Sequence, residues 1–221
     1  MPHLARACLS ALFLLVFLVP PAAAQAPGQA HYDTPVVAAA AARLEQEIRA
    51  KTLKPNERPQ PQLAALATET ALALVRERKY PEAIPLLERA IGHGGGTFTV
   101  WIAYSNALGA QRTANHRRAL EAAYIAWKKA GDSKASALAL YYIGYWHELM
   151  REGDASIAAY EDSLKLENNP TVRNRLNQMV MQYRHQVVET KADVESEQPR
   201  ICLTFSKPLP ERVPAQFARF V

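Results

Sequence analysis

The chain predicts a mainly α-helical fold: an α-solenoid of three helix hairpins followed by the opening strands of an incomplete β-sandwich. Three observations carry that expectation. From Gln62 to Gln182 apolar residues recur at spacings of three and four, and glycine, proline and polar clusters interrupt them at near-regular intervals. Small and large residues repeat at matching places within the segments so defined. After Met181 the period changes to two, with Ile201, Leu203 and Phe205 alternating against Cys202, Thr204 and Ser206.

Residues 1–24 have the layout of a secretory signal peptide. Arg6 gives a positive start, Ala11 to Val19 is wholly apolar, Pro20 and Pro21 stop the run, and Ala22-Ala23-Ala24 offers small side chains to a signal peptidase. Cleavage is expected before Gln25. The apolar run is shorter than the ~20 residues that span a bilayer, and no later stretch approaches that length. A periplasmic product without stable membrane insertion is therefore expected. Loss of Arg6 takes the net charge from +5 to +4 (+5 − 1), spread along the chain without a basic run. That diffuse charge argues against a nucleic-acid partner, which calls for a concentrated stripe of Lys and Arg. Cys8 would leave with the signal, and Cys202 alone cannot form an internal disulfide.

Residues 25–61 read as an N-terminal helix and a linker. Val37, Ala41, Leu44 and Ile48 mark the buried stripe of a helix over Thr34 to Lys51, with Asp33 or Thr34 as its cap and Pro35 in its first turn. Pro55, Pro59 and Pro61 then forbid a helix, because proline lacks the amide donor and pushes its predecessor out of helical space. Residues 62–182 divide at Lys79-Tyr80-Pro81, Gly92 to Gly96, Gln111 to His116, Gly131-Asp132-Ser133, Gly153-Asp154 and Asn168-Asn169-Pro170. The first six segments pair as hairpins, and the last, from Thr171, would cap the stack.

Within those pairs, Tyr80, Ala83, Leu87 and Ala90 resemble the second helix of a tetratricopeptide repeat. Trp101 falls at the tryptophan position of a second repeat. Ala123, Trp127 and Ala130 follow in its partner helix, after an insertion around Gln111 to His116. Ile143-Gly144 and the Tyr160 to Leu166 stretch mark a third unit. Small residues belong where paired helices cross closely, and large ones fill the gaps between turns. Tyr80, Ala83, Ala90, Trp101, Ala123, Trp127, Ala130, Gly144 and Tyr160 are thus the expected packing residues.

Residues 183–221 hold β-prone segments at Val187-Val188-Glu189-Thr190 and Arg200 to Ser206, too little chain for a sandwich of ~100 residues. The stretch from Tyr183 to Thr190, then Pro199-Arg200, the strand ending Phe205-Ser206, Pro208-Leu209 and Phe220-Val221, resembles a junction in bacterial alpha-2-macroglobulin family proteins. There a helical N-terminal region meets the first macroglobulin-like domain. The resemblance implies an exported endopeptidase inhibitor, a large protease trap, of which this chain would be the N-terminal helical module. It also implies protein partners, either proteases or envelope proteins. The family's thioester sits in a Cys-x-Glu-Gln motif. Here Cys202 is followed by Leu203-Thr204-Phe205, and no bait is recognisable, so the module is expected to work by binding. The alternative is a free-standing periplasmic scaffold of tetratricopeptide type that holds cell-envelope proteins.

Sharper chemistry lacks support. His93-Gly94-Gly95-Gly96 resembles a lipase oxyanion loop, but no Gly-x-Ser-x-Gly elbow accompanies it, and glycines ending a helix explain it better. His147-Glu148 begins like a zinc-protease helix, but Arg151 stands where the second histidine belongs, so a solvated or partly buried His147 is expected. No catalytic residue, cofactor or metal ligand is therefore expected, and no enzymatic activity. The aromatics are more informative, since half of them lie between Phe98 and Trp146. Tyr141 with Tyr145, and Tyr142 with Trp146, form two stripes on one helix. One stripe is expected to face solvent. By similarity to tetratricopeptide repeats, Tyr141, Tyr145 and Asn106 are the candidate partner-binding residues, on the concave side.

Overall fold

The computed structural model describes residues 31–111, 115–184, 187–193 and 200–206. The expected signal peptide, part of the insertion after Gln111 and the closing Phe220-Val221 lie outside them. Among the described residues the chain is mainly helical, with one small antiparallel sheet. Its helices are α1 (Pro35–Thr52), α2 (Pro61–Arg76), α3 (Tyr80–Ala90), α4 (Phe98–Ala110), α5 (His116–Lys128), α6 (Ser133–Leu149), α7 (Gly153–Leu166) and α8 (Pro170–Tyr183). The strands are β1 (Val187–Asp193) and β2 (Arg200–Phe205).

Helix starts follow local chemistry. The side chains of Thr34, Thr97, Asn115, Asp132 and Asn169 each accept a backbone amide of the helix they open, satisfying donors that have no partner inside the first turn. Pro35, Pro61 and Pro170 occupy first-turn positions, where a missing amide costs nothing. The expected break at Lys79-Tyr80-Pro81 is narrower in the structure, because Tyr80 and Pro81 already belong to α3. That helix also accommodates Pro85, whose absent amide would have bonded the carbonyl of Pro81, within the first turn.

Two helix ends share one device. Arg78 after α2 and Arg151 after α6 are left-handed, at φ 60° and 62°. In each case the next amide reaches back five residues, Lys79 to the Leu74 carbonyl and Glu152 to that of His147, both at 2.9 Å. This is the turn that glycine usually supplies. Between α3 and α4 glycine does supply it: a π-helical turn over Ile91–Gly95 ends with Gly94 at φ 92°.

From α2 to α8 each helix packs on the next, most extensively α2 on α3, α4 on α5, and α6 on α7. One core runs from Tyr32 through Ala159, and a second, smaller cluster of Ile157, Tyr160, Val172 and Met179 joins α7 to α8. Although the proline linker separates it in sequence, α1 belongs to the first core. Its stripe of Val37, Ala41, Leu44 and Ile48 is buried, and it packs against α5, α3 and the π turn.

The strands pair with Ala192 opposite Ile201, Thr190 opposite Leu203 and Val187 opposite Phe205, with a bulge at Val188. Directly opposed side chains share a face, so Ile201, Leu203, Phe205 and Val187 lie together. Ile201 is 71 % and Leu203 49 % exposed, and among the described residues no second layer covers them.

Candidate functional site

The side chains that meet around Tyr141 come from α6, α7 and α8. Tyr141 and Tyr145, one helical turn apart, stack with ring centres 6.1 Å apart and planes 8° from parallel. The Tyr160 ring on α7 lies 6.2 Å from that of Tyr141. Arg175 on α8 lays its guanidinium 4.6 Å over the Tyr145 ring, a cation–π contact. Glu148 fixes that arginine, accepting from Arg175 Nη1 at 2.9 and 3.1 Å, and it accepts from the Tyr160 hydroxyl at 2.6 Å. Burial pushes the Tyr160 hydroxyl well above its ordinary range, and its bond to Glu148 pushes it further. It stays a donor at every physiological pH.

Neither aromatic stripe faces solvent fully. Tyr141, Tyr142 and Tyr145 are all half-buried, because α8 folds Arg175 over one side while the other joins the main core through Tyr142 and Trp146. The open surface is a cleft of about 230 Å³ beside Tyr141. Ala137, Leu138, Tyr141 and Val172 form its apolar part, and Ser163, Glu167, Asn169 and Thr171 its polar rim. Asn106 lies half-buried on α4, and no hydrogen bond among the described residues joins it to Tyr141 or Tyr145. The cleft thus gathers one of the three candidate residues, with Tyr145 stacked behind it.

The packing residues form the frame. Ala83, Ala90, Trp101, Ala123 and Tyr160 are fully buried, whereas Tyr80, Trp127 and Ala130 are half-buried. Gly144 has a direct role: a Cβ there would stand 2.6 Å from the Tyr160 ring, so the α6–α7 crossing needs its bare backbone. Gly109 is equally constrained, since its Cβ would meet the Trp146 ring at 2.2 Å. Trp146 in turn donates to Ser105 Oγ at 2.8 Å, and Ser105 donates to the Ala119 carbonyl at 2.7 Å, linking α6, α4 and α5. Neither Gly109 nor Ser105 carried a sequence signal, because their partners lie on other helices.

His147, expected to be solvated or partly buried, is only 3 % exposed. Burial lowers its pKa, against the opposing pull of Glu152, so the ring is neutral and Nδ1 donates to the Glu152 carboxylate at 2.5 Å. Burial would raise Glu152, but the bonds from His147 and Arg117 outweigh it and hold the carboxyl below its usual range. His147 lines a cleft with His31, Arg117, Glu152 and Asp154. Its Nε2 is nevertheless buried and without a partner, so it presents no base to that open cleft. The pair ties the end of α6 to the start of α7. His93 is also buried, and its Nδ1 accepts the Gln60 amide at 3.3 Å.

Among the described residues no cluster of three His, Cys, Asp or Glu side chains is arranged to hold a metal, and no helix is long and apolar enough to cross a membrane. What the geometry offers is an aromatic-backed cleft with a polar rim. No known family profile matches the chain, and no curated protein matches it.

Proposed function

We propose that this chain is a protein-binding helical module, the N-terminal part of an exported protein of the alpha-2-macroglobulin type. In this reading α2 to α7 are three stacked tetratricopeptide-like hairpins, α8 closes the stack, and β1 and β2 open a β-sandwich. The module positions or binds proteins in the periplasm and leaves bait and thioester chemistry to other parts of the trap. The observation that carries the proposal is the hairpin. Its apolar face, Ile201, Leu203 and Val187, stands uncovered directly after the helical array, as the first two strands of a sandwich would. The recurring left-handed arginine turn after α2 and α6 supports the repeat reading.

Hydrogen exchange tests it. Amides of β2 should exchange rapidly in this chain and become about a hundredfold slower in a product extended by whatever coding sequence follows Val221. If no β-rich sequence follows, or β2 stays unprotected, the proposal fails. The free-standing scaffold is favoured by a different observation, the cleft on the array's own surface. It expects a specific envelope partner to be captured by the present chain and lost when Tyr141 and Tyr145 become alanine. Undiminished capture would remove those residues from the binding surface.

A further inference from the structure

A groove of about 570 Å³, more than twice the volume of the cleft beside Tyr141, lies where the proline linker, α2 and the π turn meet. Helix α2 contributes Pro61, Ala64, Ala65 and Thr68, and Pro59 and Gly94 complete its apolar lining. The π turn sits directly on α2, since a Cβ on Gly95 would stand 2.9 Å from that of Ala64. No large apolar side chain lines the space beside that contact, so the groove stays open. Pro59 and Pro61 have fixed φ, and the Gln60 amide between them is bonded to His93, so this lining is set before any ligand arrives. Binding to a preformed surface loses little to ordering.

The polar side chains of the groove are of two kinds. The Thr68 hydroxyl donates to the Ala64 carbonyl at 2.8 Å and Thr97 Oγ1 accepts the Val100 amide at 3.4 Å, so both serve the helices beside them. His93 and Glu69 differ. His93 is only 4 % exposed, and because its Nδ1 accepts the Gln60 amide, the ring proton lies on Nε2. Among the described residues nothing accepts that proton, and a donor so nearly buried is costly to leave unpaired. Glu69 is the one carboxylate of the lining, exposed and in no ion pair among the described residues, and no Lys or Arg lines the groove with it. A complementary ligand is therefore bulky and apolar, brings one neutral acceptor, and carries a cation at its edge. A free carboxylic acid would meet Glu69 with no cation to offset the repulsion, whereas a peptide carbonyl within a chain accepts without charge.

We propose that this groove docks an extended internal segment of a partner polypeptide that carries an aromatic residue beside a Lys or Arg. The aromatic ring lies on the prolines and alanines, a backbone carbonyl of the segment accepts from His93 Nε2, and the cation reaches Glu69. Area burial supplies the affinity, and the two polar contacts select the partner and its direction. The groove is separate from the cleft beside Tyr141, and its role holds whether the chain serves a protease trap or a free-standing scaffold.

The test is an NMR titration of the isotope-labelled full chain with the peptide acetyl-Ala-Phe-Arg-Ala-amide. The amides of Gly94, Gly95 and Thr97 should shift together and saturate, and the His93 Nε2 signal should move with them as it gains an acceptor. Replacing the peptide's Phe by Ala should weaken binding about tenfold, and replacing its Arg by Glu about threefold. Glu69→Lys, a change at an exposed position, should invert the preference between the Arg and Glu peptides. Ala65→Trp, also exposed, should fill the groove and abolish the saturable shifts at an unchanged melting temperature. If that variant melts lower, the charge inversion alone decides. No saturable shift at about 5 mM peptide overturns the proposal. Shifts that map to the cleft beside Tyr141, equal affinity for the three peptides, or an unchanged preference in Glu69→Lys do the same. A stationary His93 Nε2 signal alongside shifting groove amides overturns its part as the donor.

Discussion

Ile143 on α6 and Ile201 on β2 are the same side chain in two settings, one wholly buried and the other 71 % exposed. Both sit on the apolar face of a regular element. Ile143 lies inside the packed helical core, where Ser105, Ser156 and Ser163 each donate to a backbone carbonyl of another helix. Around Ile201 there is one partner strand, and pairing satisfies the backbone without covering the side chains. A two-stranded hairpin is marginal in water, so what distinguishes the regions is the presence of a second layer, not the pattern that formed the element.

The largest expected effect lies on the covered side. Trp146→Ala should cost about 3–5 kcal/mol, since it empties a fully buried site and leaves Ser105 without its indole donor. Urea unfolding measures this, and a loss under about 1 kcal/mol would mean that the helical body is not one tightly packed core. Gly144→Ala should cost about 1–3 kcal/mol, because the added methyl meets the Tyr160 ring and the α6–α7 crossing must widen. A neutral outcome would show that the crossing has slack.

Acid sharpens the same contrast. The folded His147 pKa lies below its unfolded value, so the unfolded state binds more protons as pH falls. Stability from this site is therefore full above the ordinary imidazole range, near about 6.5, and is lost as pH falls through the lower folded value. Glu152, also depressed, extends the loss into the carboxylate range. Melting temperature should fall from pH 7.5 to 4.5 in the parent chain and fall less in His147→Gln; equal slopes would place the acid sensitivity elsewhere. The smallest effect belongs to the uncovered side. Ile201→Ser with Leu203→Ser should leave the unfolding of the helical body within about 0.5 kcal/mol while reducing aggregation, because these side chains touch none of its core. A larger loss would show that the hairpin packs on the helices in solution.

Geometry was legible in the sequence where spacing along one helix decides it. Tyr141 and Tyr145 stack because four residues separate them on α6, and Gly144 sits opposite Tyr160 where a small residue was expected. Sequence spacing could not place Arg175 over Tyr145 or Glu148 between Arg175 and Tyr160, since those contacts join helices whose relative rotation no local pattern records. His147 illustrates the same limit: its own helix does not reveal that Glu152 and Arg117 close over it.

The sequence by itself determined where helices lie to within a few residues at their ends, which face of α1 is apolar, and where a period of four gives way to a period of two. Those are properties of backbone propensity, capping and proline, all local. Only the tertiary structure decided that α1 turns back across α3 and α5 and that α8 covers part of the tyrosine stripe. Each of those depends on burial against residues distant in the chain, and burial is fixed only when the helices have found one another.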